Sequence, residues 1–452
     1  MEIKLLIVGI LIITSFIYLW RVDRFQFIPL TTNFHLFGCY VYCFGTIFLA
    51  DPGNSVEFKW MLYVSVALQT MLMGIIFTSL MFNFNAAQET KNLISRAWEP
   101  STKKDISFLV LMSGFAVLLA VVFYIMIGTI VPIQALASIL SGNDVAATGL
   151  AYTESRKSIH YGAGGEYYGA GYFAQFTNIL IPLSFLVLAF ITKHSRTKLL
   201  SFYIFLLLIF SILAMTGTGR RGVIMGFLFF LIFWSSWKGL GTYKVGMKYR
   251  ITIVVGAVLL MGVLTTLMAR SVESSSFSGN VLYGLWFMIE RVLLFPPAQE
   301  MESFKIFLAS REPVYGYGWL MQLNDLLPGH RPGLAQQMHS MLGGSEHGSA
   351  GFGQYGEKYY NFGWIGATLV SFLWGCFIQW FQIKIIRYKT KGLVWIVLCY
   401  AAYLLAMAGA PIDLFNQGFI TCFIFIGCYK LYLIMYGRLP KKESYRGQLI
   451  NG

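Results

Sequence analysis

Two adjacent arginines in a glycine-rich hinge, Thr216-Gly217-Thr218-Gly219-Arg220-Arg221-Gly222, form the segment of this sequence best suited to holding a polyanion. A guanidinium is a planar fork that binds phosphate oxygens two at a time. Glycines beside it let a phosphate approach the backbone. The bland alternative is that the pair anchors a helix end by snorkelling. Arg291 follows Glu290 inside an apolar amphipathic stretch. A buried arginine needs a partner, so this is either a local ion pair or a second phosphate contact beside Arg221. Arg156 and Lys157 precede Tyr161 and the segment 162–171, which holds five glycines with Tyr167 and Tyr168. Tyrosine faces and hydroxyls suit sugar rings, and a basic pair suits an anion. An interfacial loop with neither role is the alternative.

Proton-transfer chemistry points to 327–361. Three of the six histidines, His330, His339 and His347, fall there with Glu346 and Glu357. Histidines and carboxylates are the usual general bases, which makes His347, His339 and Glu357 candidates. His339 and His347 stand eight apart with no His-x-x-x-His pair, so the spacing is not that of a compact zinc site and no metal is expected. A glycine-rich loop ending in a helix-start glutamate is the plainer reading. Glu357 opens the run Glu357-Lys358-Tyr359-Tyr360-Asn361-Phe362-Gly363-Trp364-Ile365-Gly366, and Tyr355 and Tyr359 join Tyr168 as candidate substrate-binding aromatics.

The elements that must position these residues are membrane helices. Apolar residues make up 57% of the 452 and charged residues 12%, where a soluble chain carries about 25% charged. The apolar runs are long and unbroken, unlike the alternation of a β-barrel. Lipid satisfies no backbone group, so the runs must be helical. Eleven are expected to span, at 3–20, 27–50, 60–82, 107–131, 172–192, 199–216, 222–237, 251–269, 362–383, 393–410 and 418–436. The first lacks a basic n-region and a small-residue cleavage site, so it reads as a retained span. The six cysteines all lie in apolar runs and read as packing residues, not as a disulfide framework.

Charge gives the expected orientation. The segments 21–26, 84–106, 193–198, 238–250, 384–392 and 437–452 carry 21 Lys and Arg against five acids. The opposite side holds 12 basic and 15 acidic residues. The first set is therefore expected in the cytoplasm, with the N-terminus outside and the C-terminus inside. The formal net charge of +14 follows from this bias, and no separate basic domain suggests nucleic acid. The chain reads as one integral membrane domain with two long outer loops, 132–171 and 271–361. The second is expected to form short amphipathic helices at 281–295 and 302–309 over the outer face. No strong internal repeat is visible, which weighs against many transporter folds.

Taken together, Thr218-Gly219-Arg220-Arg221-Gly222 and the run from Glu357 to Gly366 resemble the O-antigen polymerase family, the Wzy-type polymerases of oligosaccharide repeat units. The resemblance extends to the span count and the two outer loops. The family often has Ser-Arg-Gly where this chain has Arg220-Arg221-Gly222, which makes Arg221 the closer equivalent. It implies an all-α polytopic fold of the GT-C glycosyltransferase type in the bacterial inner membrane. It also implies transfer of a glycan from undecaprenyl diphosphate to another undecaprenyl-diphosphate-linked repeat unit at the periplasmic face. Arginines would hold the diphosphate (Arg221 and Arg291, then Arg156 and Arg220), with no metal and no other cofactor. A chain-length regulator protein would be a partner. Two alternatives remain: an O-antigen ligase, passing glycan to the lipid A core, and a lipid-linked oligosaccharide flippase or other transporter. The transporter class places ionisable residues within spans, whereas charges here avoid the spans almost completely, with His35 and Lys430 among the exceptions.

Overall fold

The computed structural model describes residues 2–127, 173, 175–192, 197–217, 255, 286, 290, 293–323, 353–409, 411, 413–416 and 418–436. Among the described residues the chain is helical and without strands, apart from one isolated bridge between Trp98 and Lys391. In chain order the helices are α1 (Glu2–Tyr18), α2 (Thr31–Leu49), α3 (Ser55–Met81), α4 (Ala86–Ser95) and α5 (Lys103–Ile127). Then come α6 (Ile181–Ile191), α7 (Lys198–Gly217), α8 (Phe295–Ser303) and α9 (Tyr317–Leu323). The last are α10 (Gly353–Ile386), α11 (Leu393–Ala406), α12 (Asp413–Asn416) and α13 (Phe419–Met435). Nine of the expected apolar runs fall on helices. The runs 222–237 and 251–269, residue 255 apart, lie outside the described residues. Among the described residues four helices, Glu2–Asp23, Ser55–Met81, Lys103–Ile125 and Gly353–Ile386, are long and apolar enough to cross a membrane. Leu6, Ile13, Leu118 and Ile125 present bare apolar side chains, at 63%, 61%, 59% and 70% exposure. Water would penalise such a surface and lipid would not.

Local sequence starts the helices. The Asn54 side chain accepts from the amides of Val56 and Glu57 to cap α3, and Asn85 does the same for α4. Thr102 and Asp105 exchange side-chain and backbone bonds at the start of α5. This reciprocal cap satisfies amides that no helical carbonyl reaches.

Packing centres on α3 against α10. A Cβ on Gly74 would lie 2.1 Å from the Phe372 carbonyl oxygen, and one on Gly375 would lie 2.1 Å from that of Met71. Only glycine lets the two backbones come this close, the small-residue solution to membrane helix pairing. A buried polar chain ties α2, α3 and α10 together. Thr32 donates to Gln379 at 2.7 Å and to Gln382 through its amide at 2.9 Å, and Gln379 donates to Ser79 at 2.9 Å.

The helix α10 is not one rod. Gly363 takes φ 64° and ψ −168°, a combination essentially restricted to glycine. The Lys358 ammonium nevertheless sits 5.9 Å from the Trp374 ring centre. Sixteen residues of straight helix would separate these residues by about 24 Å. The segment 353–362 therefore folds back alongside 364–386, forming a re-entrant hairpin with Gly363 at its tip. The second segment alone spans about 34 Å, enough to cross a bilayer and close to the expected run at 362–383.

Segments expected on one side touch each other. Arg387 pairs with Glu89 at 2.8 Å, Arg96 donates to the carbonyls of Ile386 and Tyr388, and the Glu99 amide donates to Lys391 O. At the other end Lys305 pairs with Glu57 at 2.8 Å.

Candidate functional site

The re-entrant segment carries Tyr355, Glu357 and Tyr359, three of the residues singled out by sequence. Its first turn starts at Gly353 with φ +57°. The amides exposed there are satisfied from a distance: Glu300 of α8 accepts from the Gly356 N–H at 2.9 Å and also from the Tyr355 amide. The positive φ favours glycine at 353, and a Cβ there would fall 2.3 Å from the Glu300 carboxylate and push it aside. Glu300 is 1% exposed. Burial pushes its carboxyl well above the ordinary range, the Gly356 amide pulls it partly back, and Glu357 pushes it up again. Among the described residues its second oxygen, Oε2, has no hydrogen-bond partner.

The far end of the segment is clamped by α9 and the chain before it. The Asn361 side chain accepts from the Trp319 amide at 3.2 Å and donates to Glu357 O at 2.8 Å. Val314 N–H donates to Tyr360 O at 3.1 Å. Pro313 fills the space where a Gly363 Cβ would stand, and Trp319 meets Phe362 edge-on at 4.9 Å. The Asn361-Phe362-Gly363 sequence thus builds the hairpin tip: an amide that grips the overlying loop, a ring that packs under it and a glycine that turns.

Tyr355 and Tyr359 are both buried. Tyr359 packs among Tyr63 and Phe304, each 5.1 Å away, while Tyr355 stacks near Tyr42 at 5.1 Å and accepts from the Tyr63 hydroxyl through its carbonyl. In this arrangement their ring faces are occupied by protein. Glu357 is half-buried beside Lys358, within electrostatic reach of Glu300. Of the other candidates, Arg156, Tyr168, Arg220, Arg221, Arg291, His339 and His347 lie outside the described residues.

No protein-family model, no curated protein and no solved structure matches the chain.

Beside the re-entrant segment lies a group of ionisable residues whose grouping no sequence motif announces. Lys358 is 1% exposed, its ammonium 5.8 Å from the Tyr355 ring centre, with Cys39, Glu300 and Glu357 as its charged or polar surroundings. Gln354 donates to the Cys39 sulfur at 2.9 Å, and His35 Nδ1 bonds Ala406 O at 2.8 Å. Charges at low dielectric interact strongly, so Glu300, Glu357 and Lys358 act on one another at the buried end of the hairpin. A lysine between tyrosines in an aromatic run was a legible signal for Lys358. Glu300 gave none, because its partner lies 56 residues further on.

Proposed function

We propose that this chain is a membrane glycosyltransferase that polymerises undecaprenyl-diphosphate-linked oligosaccharide repeat units at the periplasmic face of the bacterial inner membrane. What supports the reading is the architecture around Asn361-Phe362-Gly363. The motif behind the resemblance is a rigid, loop-clamped hairpin tip, and Glu357 stands one helical turn from it. A motif of mere lipid-facing residues would need no such clamp.

In the proposed reaction an acceptor sugar hydroxyl attacks the anomeric carbon of the donor glycan. A carbon–oxygen bond forms, the bond to the diphosphate breaks, and undecaprenyl diphosphate leaves. The hydroxyl proton passes to a base, for which His347, His339 and Glu357 are the candidates. Arg221 and Arg291, with Arg156 and Arg220, stabilise charge developing on the leaving diphosphate, where electrostatic catalysis has most to gain. A single displacement inverts the anomeric configuration. Eleven spans of GT-C type, a periplasmic N-terminus, a cytoplasmic C-terminus and a chain-length regulator as partner belong to the same proposal.

One observation favours a second reading. The broken helix and the buried Glu300, Lys358 and His35 are features that transporters use to bind substrates between spans. Purified protein given one lipid-linked repeat unit separates these readings. A ladder of lengthened glycans is expected for a polymerase. A single capped product formed only with lipid A core would indicate the ligase, and unchanged substrate crossing a vesicle membrane would indicate the transporter.

A further inference from the structure

At the end of the bundle remote from the hairpin tip, the termini of α3 and α10 enclose a cleft of about 590 Å³. Phe82, Ile383 and Tyr388 form its apolar wall, and Lys384, Arg387, Lys389, Thr390 and Glu99 supply its polar groups. Three cations thus face one lining acid. Arg387 is tied on two sides: Nε pairs with Glu89, and Nη2 donates to Phe82 O at 3.1 Å. Lys384 stands 6.0 Å from the Phe82 ring centre. Lys384 and Lys389 are exposed, and among the described residues neither has an ion pair within 4.0 Å.

The cleft lies where two apolar helices end together. Leu80 and Met81, the last residues of α3, are 70% and 64% exposed. Trp380, 39% exposed, precedes Lys384 by one turn on the same face of α10. Apolar side chains, then an indole, then lysines is the sequence of surfaces met on passing from acyl chains to headgroups. A zwitterionic headgroup would bring its own cation into this positive cleft, whereas a net-negative phosphodiester would not.

We infer that this cleft binds the headgroup of an anionic phospholipid from the surrounding bilayer. The phosphodiester lies between Lys384 and Lys389, with the acyl chains running along the Leu80, Met81 and Trp380 surface. Bound there, the lipid bridges α3 and α10 at the end where Arg387 already ties them through backbone carbonyls. The inference is independent of the catalytic reading.

The full-length protein, purified in neutral detergent and offered equal amounts of phosphatidylglycerol and phosphatidylcholine with matched acyl chains, can be examined by native mass spectrometry. Wild type is expected to retain phosphatidylglycerol preferentially. The double variant Lys384→Gln/Lys389→Gln should lose that retention by on the order of tenfold. Lys91→Gln/Lys103→Gln, which removes the same charge outside the cleft, should keep it. Arg387 is left intact so that the helix ends stay joined, and equal melting temperatures in detergent establish that the variants are folded. Equal retention of the two lipids, or undiminished preference in the Lys384/Lys389 variant, would overturn the assignment. So would displacement of the lipid by millimolar glycerol 3-phosphate, which would make this a site for soluble phosphates.

Discussion

A carboxyl buried against backbone amides can serve them as an anion or as a neutral acid, and the two differ in how they respond to pH. Glu300 accepts from Gly356 N–H inside the bundle, and burial raises its affinity for a proton above the ordinary carboxylate value. The folded state therefore favours the protonated form. The stability this provides is full below the unfolded-state value and is lost as pH rises through the folded-state value. Glu300→Gln keeps an acceptor for the amide and cannot ionise. Its melting temperature, followed in detergent from about pH 5 to about pH 9, should gain on wild type as pH increases. A constant difference would show that Glu300 does not titrate in this range. Glu300→Ala leaves the Tyr355 and Gly356 amides without their acceptor and should cost about 1–3 kcal/mol at low pH, a difference that narrows as pH rises and wild-type Glu300 ionises.

At the scale of elements, the hairpin in α10 rests on one glycine. Gly363→Ala forces a Cβ into a backbone region that costs about 1–3 kcal/mol for other residues, and that Cβ would meet Pro313 at 2.8 Å. The substitution should lower thermal stability and speed amide exchange at Val314 and Trp319, whose N–H groups bond Tyr360 and Asn361. Unchanged exchange at both would mean that the tip is not held as described. The long apolar helices are legible because lipid demands long apolar runs, and runs such as 60–82 and 107–131 fall on α3 and α5 to within five residues. The fold-back is not. Residues 353–362 look like the polar approach to a span, and nothing local reveals that they return into the bundle. Glu300, its distant cap, was hidden for the same reason. The motif from Glu357 to Gly366 is visible in the sequence, but the burial of Tyr355 and Tyr359 in ring clusters is not. A tyrosine in a list of residues does not say which of its faces is taken.

For the whole molecule, the proposed chemistry requires that the two motif regions share a compartment. Single cysteines placed at Arg221 and at Glu357, in a chain lacking its native cysteines, should both react with a membrane-impermeant thiol reagent added from the periplasmic side. Labelling from opposite sides would remove the possibility of a common site. The contacts between 84–106 and 384–392 fit this topology, since both segments were expected on the cytoplasmic side and they are joined by Arg387 and Glu89. The most direct test is the ladder formed from a purified lipid-linked repeat unit. Arg221→Ala and Arg291→Ala should each abolish it while protein levels stay normal, and lysine at either position should restore little, because an ammonium lacks the two-pronged grip. Ladders of wild-type length and intensity in both alanine variants would contradict arginine-held diphosphate as the basis of the reaction.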